Sequence, residues 1–182
     1  MIILKKIYVV RHCEAIGQAP EAPLTEKGTQ QAIQLADFLM DKNVEQILAS
    51  PYERAIQTIQ PLANSIQHKV DTDERLIERV LCSEPIPDWF ERLRDTYEDF
   101  DLKFSGGESS REAMSRIVEV VEEVFASSAK TTVLVTHGGL MSLLLHHIEK
   151  NFGFEGWQSL RNPDVYLLAR DFKKTTYERI WK

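Results

Sequence analysis

The sequence predicts an α/β fold: a three-layer α/β/α sandwich with a mostly parallel central sheet and a C-terminal β-hairpin. Three observations carry this. Short apolar runs rich in β-branched residues, such as "KKIYVV" and "TTVLVT", read as buried strands, the second covered on both faces. Between them lie stretches whose apolar residues recur at helical spacing. The two kinds alternate along the chain, as the crossover connections of a parallel sheet require.

Taken in order, residues 5–10 form the first strand, and Thr25 offers an N-cap to a helix whose apolar positions are Ala32, Leu35, Ala36 and Leu39. "VEQILAS", 44–50, is the second strand. Ala55, Ile59, Leu62, Ala63 and Ile66 mark the second helix, in which Pro61 is expected to act as a kink or an early stop. Residues 80–107 break the rhythm. Their "EPIPDW" and acidic, aromatic "RLRDTYEDFDLKF" predict a lid-like insertion with a short helix, packed through Trp89, Phe90, Tyr97, Phe100 and Phe104. The flexible "SGGESS" then leads into a third helix through Ala113, Ile117, Val120, Val121 and Val124. A strand over 131–136, a helix after Gly138 and Gly139, and the hairpin "DVYLLAR"/"TTYERIW" complete the order. No repeat or linker divides the chain, so residues 1–182 are expected to be one domain.

Composition excludes several classes. The 182 residues suit one full core rather than two small ones, and a net charge of -6 argues against a general nucleic-acid binder. Cys13 and Cys82 are too few for a disulfide framework, although a bridge between them stays open, and a reducing cytosol is the simpler expectation. The opening "MIIL" is cut short by Lys5 and Lys6 before reaching the length of a signal peptide's apolar core. The longest apolar run, "LMSLLL", stops at His146 and His147, well short of a membrane span. A soluble, cytoplasmic protein with no membrane partner is expected, its oligomeric state open.

The residues with chemical potential sit where the predicted strands end. Arg11 and His12 follow the first strand, Arg54 lies in "ASPYERAIQT" after the second, and His137 ends "VLVTH". Open α/β sheets bind ligands at the carboxyl ends of their strands, so these four should converge. Guanidinium groups match phosphate oxygens with paired donors. A neutral imidazole can attack phosphorus and carry the phosphoryl group, and a second imidazole can stabilise charge in the transition state. Glycines after His137 would let helix amides approach the same anion. No metal and no cofactor is called for. His146 and His147 do not share one helical face with His137, no carboxylate cluster accompanies them, and His68 reads as solvated.

"VVRHCEA", "PLTEKGTQQA", "ASPYERAIQT", "RLIERV", "SGGES" and "VLVTHGGLMSLLL", in this order, make the chain resemble the histidine phosphatase superfamily, in its phosphoglycerate mutase-like branch. The resemblance covers almost the whole sequence. It implies His12 as the phosphoryl-accepting nucleophile, with Arg11, Arg54, His137 and Gly138 completing the phosphate pocket. It also implies Glu78 as the proton donor to the leaving group, with Glu74 as a neighbouring competitor. A partly dry site could raise a carboxyl pKa enough for that task.

Two residues depart from the family pattern. Cys13 stands where glycine is usual, which would strain the loop if a glycine conformation were required; a quiet small residue is expected there in preference to a thiol acidified by the nearby cations. Gln18 replaces a phosphate-binding asparagine and is not assigned as a ligand. The insertion is short and acidic, whereas a mutase must hold a phospho-acid in two orientations under a substantial basic lid. The expected activity is therefore a metal-independent phosphomonoesterase acting through phospho-His12 on a small phosphorylated metabolite. The alternatives are a phosphoglycerate mutase-type phosphotransferase and a non-catalytic phospho-ligand sensor.

Overall fold

A computed structural model describes residues 5–172 and 174–182. The reading of "MIIL" concerns residues outside this range. Six strands form one sheet in the order β3-β2-β4-β1-β5-β6. They are β1 (Lys5–Arg11), β2 (Gln46–Ala49), β3 (Asp71–Thr72), β4 (Thr131–Thr136), β5 (Asp164–Asp171) and β6 (Lys174–Arg179). Pairings among β1 to β4 are parallel, while β5 runs antiparallel to both β1 and β6, giving the expected hairpin edge.

The helices cover both faces because the strands offer apolar side chains to both. On β1, Tyr8 and Val10 join Val133, Val135 and Ile47 beneath α1 (Glu26–Met40) and α2 (Glu53–Ile66). Ile7 and Val9 point the other way, joining Leu134 beneath α4 (Ser110–Ala126) and α5 (Gly138–Ile148). This alternation is the period-two geometry of a strand. Thr25 caps α1 by accepting the Gly28 N–H, and a reciprocal Ser109–Glu112 capping box starts α4.

Of the two expectations for Pro61, an early stop is not met: α2 continues to Ile66. The proline's missing donor costs one backbone bond, whereas Ala55, Ile59, Leu62 and Ala63 lock the helix into the core on either side of it. Residues 80–107 do contain the short helix, α3 (Trp89–Glu98), but α6 (Phe154–Ser159), too short to show a periodic pattern, packs beside it. Phe90 meets Phe154 edge-on at 5.2 Å, and Phe154 stacks on Trp157 at 5.3 Å.

Sheet register brings the strand ends together. Arg11 pairs with Thr136 on one side and Asp164 on the other, and Ala49 pairs with Val135. Backbone pairing continues past the strands, from His12 N–H to Thr136 O at 3.1 Å and from Ser50 N–H to Val135 O at 2.9 Å. The residues immediately after β1, β2 and β4 therefore share one edge.

Candidate active site

Arg11, His12, Arg54 and His137 meet at this edge, as the sequence predicts. Their environment is dry: His12 is 7% exposed, Arg54 1% and His137 0%. The His12 and His137 rings stand edge-on with centroids 5.1 Å apart. Arg54 Nε donates to His12 Nε2 at 3.3 Å, while its Nη1 donates to the Gln18 and Ala19 carbonyls and holds the loop beyond β1. Arg11 Nη1 donates to Leu160 O at 3.1 Å. Arg11 Nε and His137 Nδ1 are buried without a protein partner. Buried donors are seldom left unmatched, so these mark the place of an acceptor the protein does not supply.

The electrostatics set the state of the imidazoles. Burial pushes the His12 pKa from the ordinary 6.5 down to about 3; its ring bond to the Cys13 carbonyl opposes this, and Arg54 and Arg11 add to it. Burial likewise takes His137 well below 6.5, reinforced by His12 and Arg54. Both rings are neutral near pH 7. His12 Nδ1 lies 2.7 Å from Cys13 O, a carbonyl that only an N–H can satisfy, so the lone pair of the neutral ring is on Nε2.

Glu78 follows the short 3-10 helix Glu74–Leu76 and reaches the first turn of α5. Its carboxylate accepts the Gly139 and Leu140 N–H groups, each at 3.1 Å, and the Arg79 N–H at 2.7 Å. Glu74, the competing carboxylate, begins the 3-10 helix and is exposed. The two glycines opening α5 let two site side chains approach its backbone closely. A Cβ on Gly138 would lie 2.9 Å from Arg11 Cζ, and one on Gly139 would lie 2.7 Å from Glu78 Oε1. Gly138 thus lies against Arg11, at the helix end where backbone N–H groups and the macrodipole favour an anion.

Beside these groups lies a cavity of about 370 Å³ whose walls include Arg11, Glu78, Gly139, Leu81, Trp89 and Trp157. Trp89 packs edge-on against Phe90 at 5.7 Å, as expected of the insertion, and has a second role that the sequence did not show. Phe90 does pack against α6, but Trp89 is 50% exposed and faces the cavity. Gln18 also lines the cavity with an exposed side chain. His146 instead bonds the Phe152 carbonyl through Nδ1 and lies against Phe100.

Cys13 proves compatible with the loop. Its φ is not positive, its N–H donates to Thr58 Oγ1 at 2.9 Å, and it is fully buried. Burial pushes its thiol up to about 12, so the neighbouring cations do not acidify it. Both cysteines are free, which closes the question of a bridge. Sequence reasoning missed Ser50, whose Oγ is 2.8 Å from His137 Nε2, and Asn162, which donates to the His12 carbonyl at 2.8 Å. Ser50 was available as the first residue after the second strand. Asn162 becomes visible only once β5 is known to start at the edge where β1 ends.

The comparisons with known proteins agree with this architecture. The fold is phosphoglycerate mutase-like: a mycobacterial glucosyl-3-phosphoglycerate phosphatase superposes with a TM-score of 0.77 at 25% identity, covering 97% of each chain. The family model of the histidine phosphatase superfamily (branch 1) matches residues 7–180, and the chain belongs to that superfamily. It is 28% identical over 145 residues to phosphoserine phosphatase 1 of Hydrogenobacter thermophilus, covering 71% of this chain and 69% of that one. It is 36% identical over 80 residues to an uncharacterized protein of Mycobacterium tuberculosis, a match that spans only 40% of either chain. No helix among the described residues is long and apolar enough to cross a membrane.

Proposed function

We propose that this protein is a phosphomonoesterase that works through a phosphohistidine at His12. The observation that carries the reading is the state of that ring: neutral, with Nδ1 tied to the Cys13 carbonyl and the Nε2 lone pair directed into a cluster of cationic donors. Arg11 Nε, Arg54, His137 Nδ1 and the Gly138 N–H cradle the phosphate. In this reading the Ser50 hydroxyl, 2.8 Å away, donates to His137 Nε2, which leaves the ring proton on Nδ1 as the donor to phosphate.

In the first step His12 Nε2 attacks phosphorus, the P–N bond forms and the ester P–O bond breaks. Glu78 enters this step in its protonated form and gives that proton to the departing alkoxide, becoming the carboxylate. In the second step water attacks the phosphohistidine and returns a proton to the Glu78 carboxylate, the P–N bond breaks, and orthophosphate leaves. Preorganised donors, spared from reorganising as charge develops, supply most of the acceleration. No step requires a metal.

The same reading takes residues 1–182 as one domain with 80–107 as its lid. The substrate is a small phosphorylated metabolite, and neither nucleic acid nor membrane is a partner. Two free thiols suit a cytoplasmic location. Water is favoured as acceptor over a second phospho-acid hydroxyl because α3 is net acidic, with Glu91, Asp95 and Glu98 against Arg92 and Arg94, and Arg92 is engaged by Asp88 at 2.9 Å. The test is phosphate release from a panel of phosphomonoesters with chelator present, comparing the native protein with a folded His12→Ala variant. Chelator-resistant turnover that the variant loses is expected; turnover retained by the variant contradicts the proposal, and binding without turnover supports a sensor.

A further inference from the structure

We propose that the cavity beside the phosphate pocket receives the alcohol half of the substrate as a flat apolar ring stacked on Trp89. The preferred substrates are then phosphomonoesters of arylalkyl alcohols rather than of carboxylated or polyhydroxylated ones. This rests on the phosphomonoesterase reading and adds the substrate class.

The cavity shares Arg11 with the phosphate cradle and is lined next to it by Glu78, the proton donor of the reading above, and Gly139. The leaving oxygen must lie within reach of Glu78, so the group attached to it projects into this space. Beyond these residues and the polar Gln18 and Arg79 the walls are apolar, with Leu81, Leu93, Trp89 and Trp157. Trp89 is held edge-on to Phe90 at 5.7 Å, and Phe90 is itself braced edge-on by Phe154 of α6. The indole is therefore positioned in advance while remaining half exposed. Stacking one ring on a positioned aromatic face is worth roughly tenfold to a hundredfold in affinity.

The polar groups argue against other alcohols. Arg79 lines the cavity, but its Nη1 is bonded to the Thr96 and Ser110 hydroxyls at 2.8 and 3.0 Å and its Nη2 faces the Glu108 carbonyl at 3.5 Å. Three of its five N–H donors are thereby taken and Nε is buried, so Arg79 is largely committed to the protein rather than offered to a carboxylate. Most hydroxyls of a sugar would lose water against Leu81, Leu93 and the two indoles, with Gln18 the one uncharged polar side chain on the wall to receive them.

The experiment compares kcat/KM for naphthylethyl, cyclohexylethyl and glycerol 3-phosphates and for 3-phosphoglycerate, all alkyl esters of similar leaving-group basicity, in the native protein and in Trp89→Ala and Trp89→Phe. Naphthylethyl phosphate should exceed glycerol 3-phosphate by tenfold or more, mainly through KM, with the cyclohexyl ester between them. That ratio should fall at least fivefold in Trp89→Ala and be largely kept in Trp89→Phe. Preference for 3-phosphoglycerate or glycerol 3-phosphate, equality of the two ring esters, or an undiminished ratio in folded Trp89→Ala overturns the proposal while leaving the phosphomonoesterase reading intact. Absence of turnover on every ester overturns that reading, and the substrate class falls with it.

Discussion

Acidification tests the electrostatics of the site directly. With His12 buried beside Arg54 and Arg11, its pKa falls from 6.5 to about 3, so between those values the unfolded chain binds a proton at His12 that the native protein refuses. The contribution is fully present above pH 6.5 and is lost as the pH falls toward 3. Each pH unit in that window costs about 1.4 kcal/mol, so by pH 5 the native state has lost about 2 kcal/mol through His12 alone. Set against a typical total of about 5–15 kcal/mol, the loss is readily measured. His137 adds to it in the same direction, because burial depresses its pKa as well. Urea unfolding at pH 7.5 and 5.0 in phosphate-free buffer, for the native protein and for His12→Gln, isolates the effect, because other groups titrate in both. The native protein should lose about 2 kcal/mol more than the variant. Equal losses, or an NMR titration of His12 with a midpoint near 6.5, would refute the reasoning that burial keeps the ring neutral.

Other perturbations separate the remaining roles. Arg54→Ala should lower kcat on the order of 10² or more, as loss of one preorganised transition-state donor does, and steady-state assays showing a tenfold loss or less would place Arg54 outside the transition state. Glu78→Gln should slow alkyl phosphates far more than activated aryl phosphates, whose leaving groups need no proton; equal slowing of both in paired assays would remove Glu78 as the donor. Iodoacetamide at pH 8 should alkylate Cys82 and spare Cys13, whose thiol is buried and pushed up to about 12. Peptide mapping that finds Cys13 modified in the folded protein would contradict its burial.

The strand ends were the most legible part of the site. "YVVRH", "ILAS" and "VLVTH" place chemistry directly after apolar strands, and parallel pairing forces such residues onto one edge whatever the loops do. The alternation of helix and strand was equally plain, because each element's apolar period matches the face it buries. Legibility failed where a partner comes from a distant element. Asn162 reaches the His12 carbonyl only because β5 runs antiparallel beside β1, and pairing direction leaves no mark in a short apolar run. Trp89 and Phe90 are adjacent aromatics in an acidic segment, yet one packs on α6 and the other lines the cavity. That division depends on the position of Phe154, far along the chain. The quiet thiol of Cys13 agrees with the sequence expectation, and burial supplies its physical reason.

The central claim is that His12 carries the phosphoryl group, and trapping the intermediate tests it most directly. Native protein and His12→Ala, mixed with a turned-over phosphomonoester and quenched in base within the first turnover, would be digested and mapped by mass spectrometry. The account predicts an acid-labile, base-stable phosphoryl group on the peptide containing His12, formed before phosphate is released and missing from the variant. Turnover in the native protein with no such adduct at any quench time, or with an adduct on another residue, would contradict it.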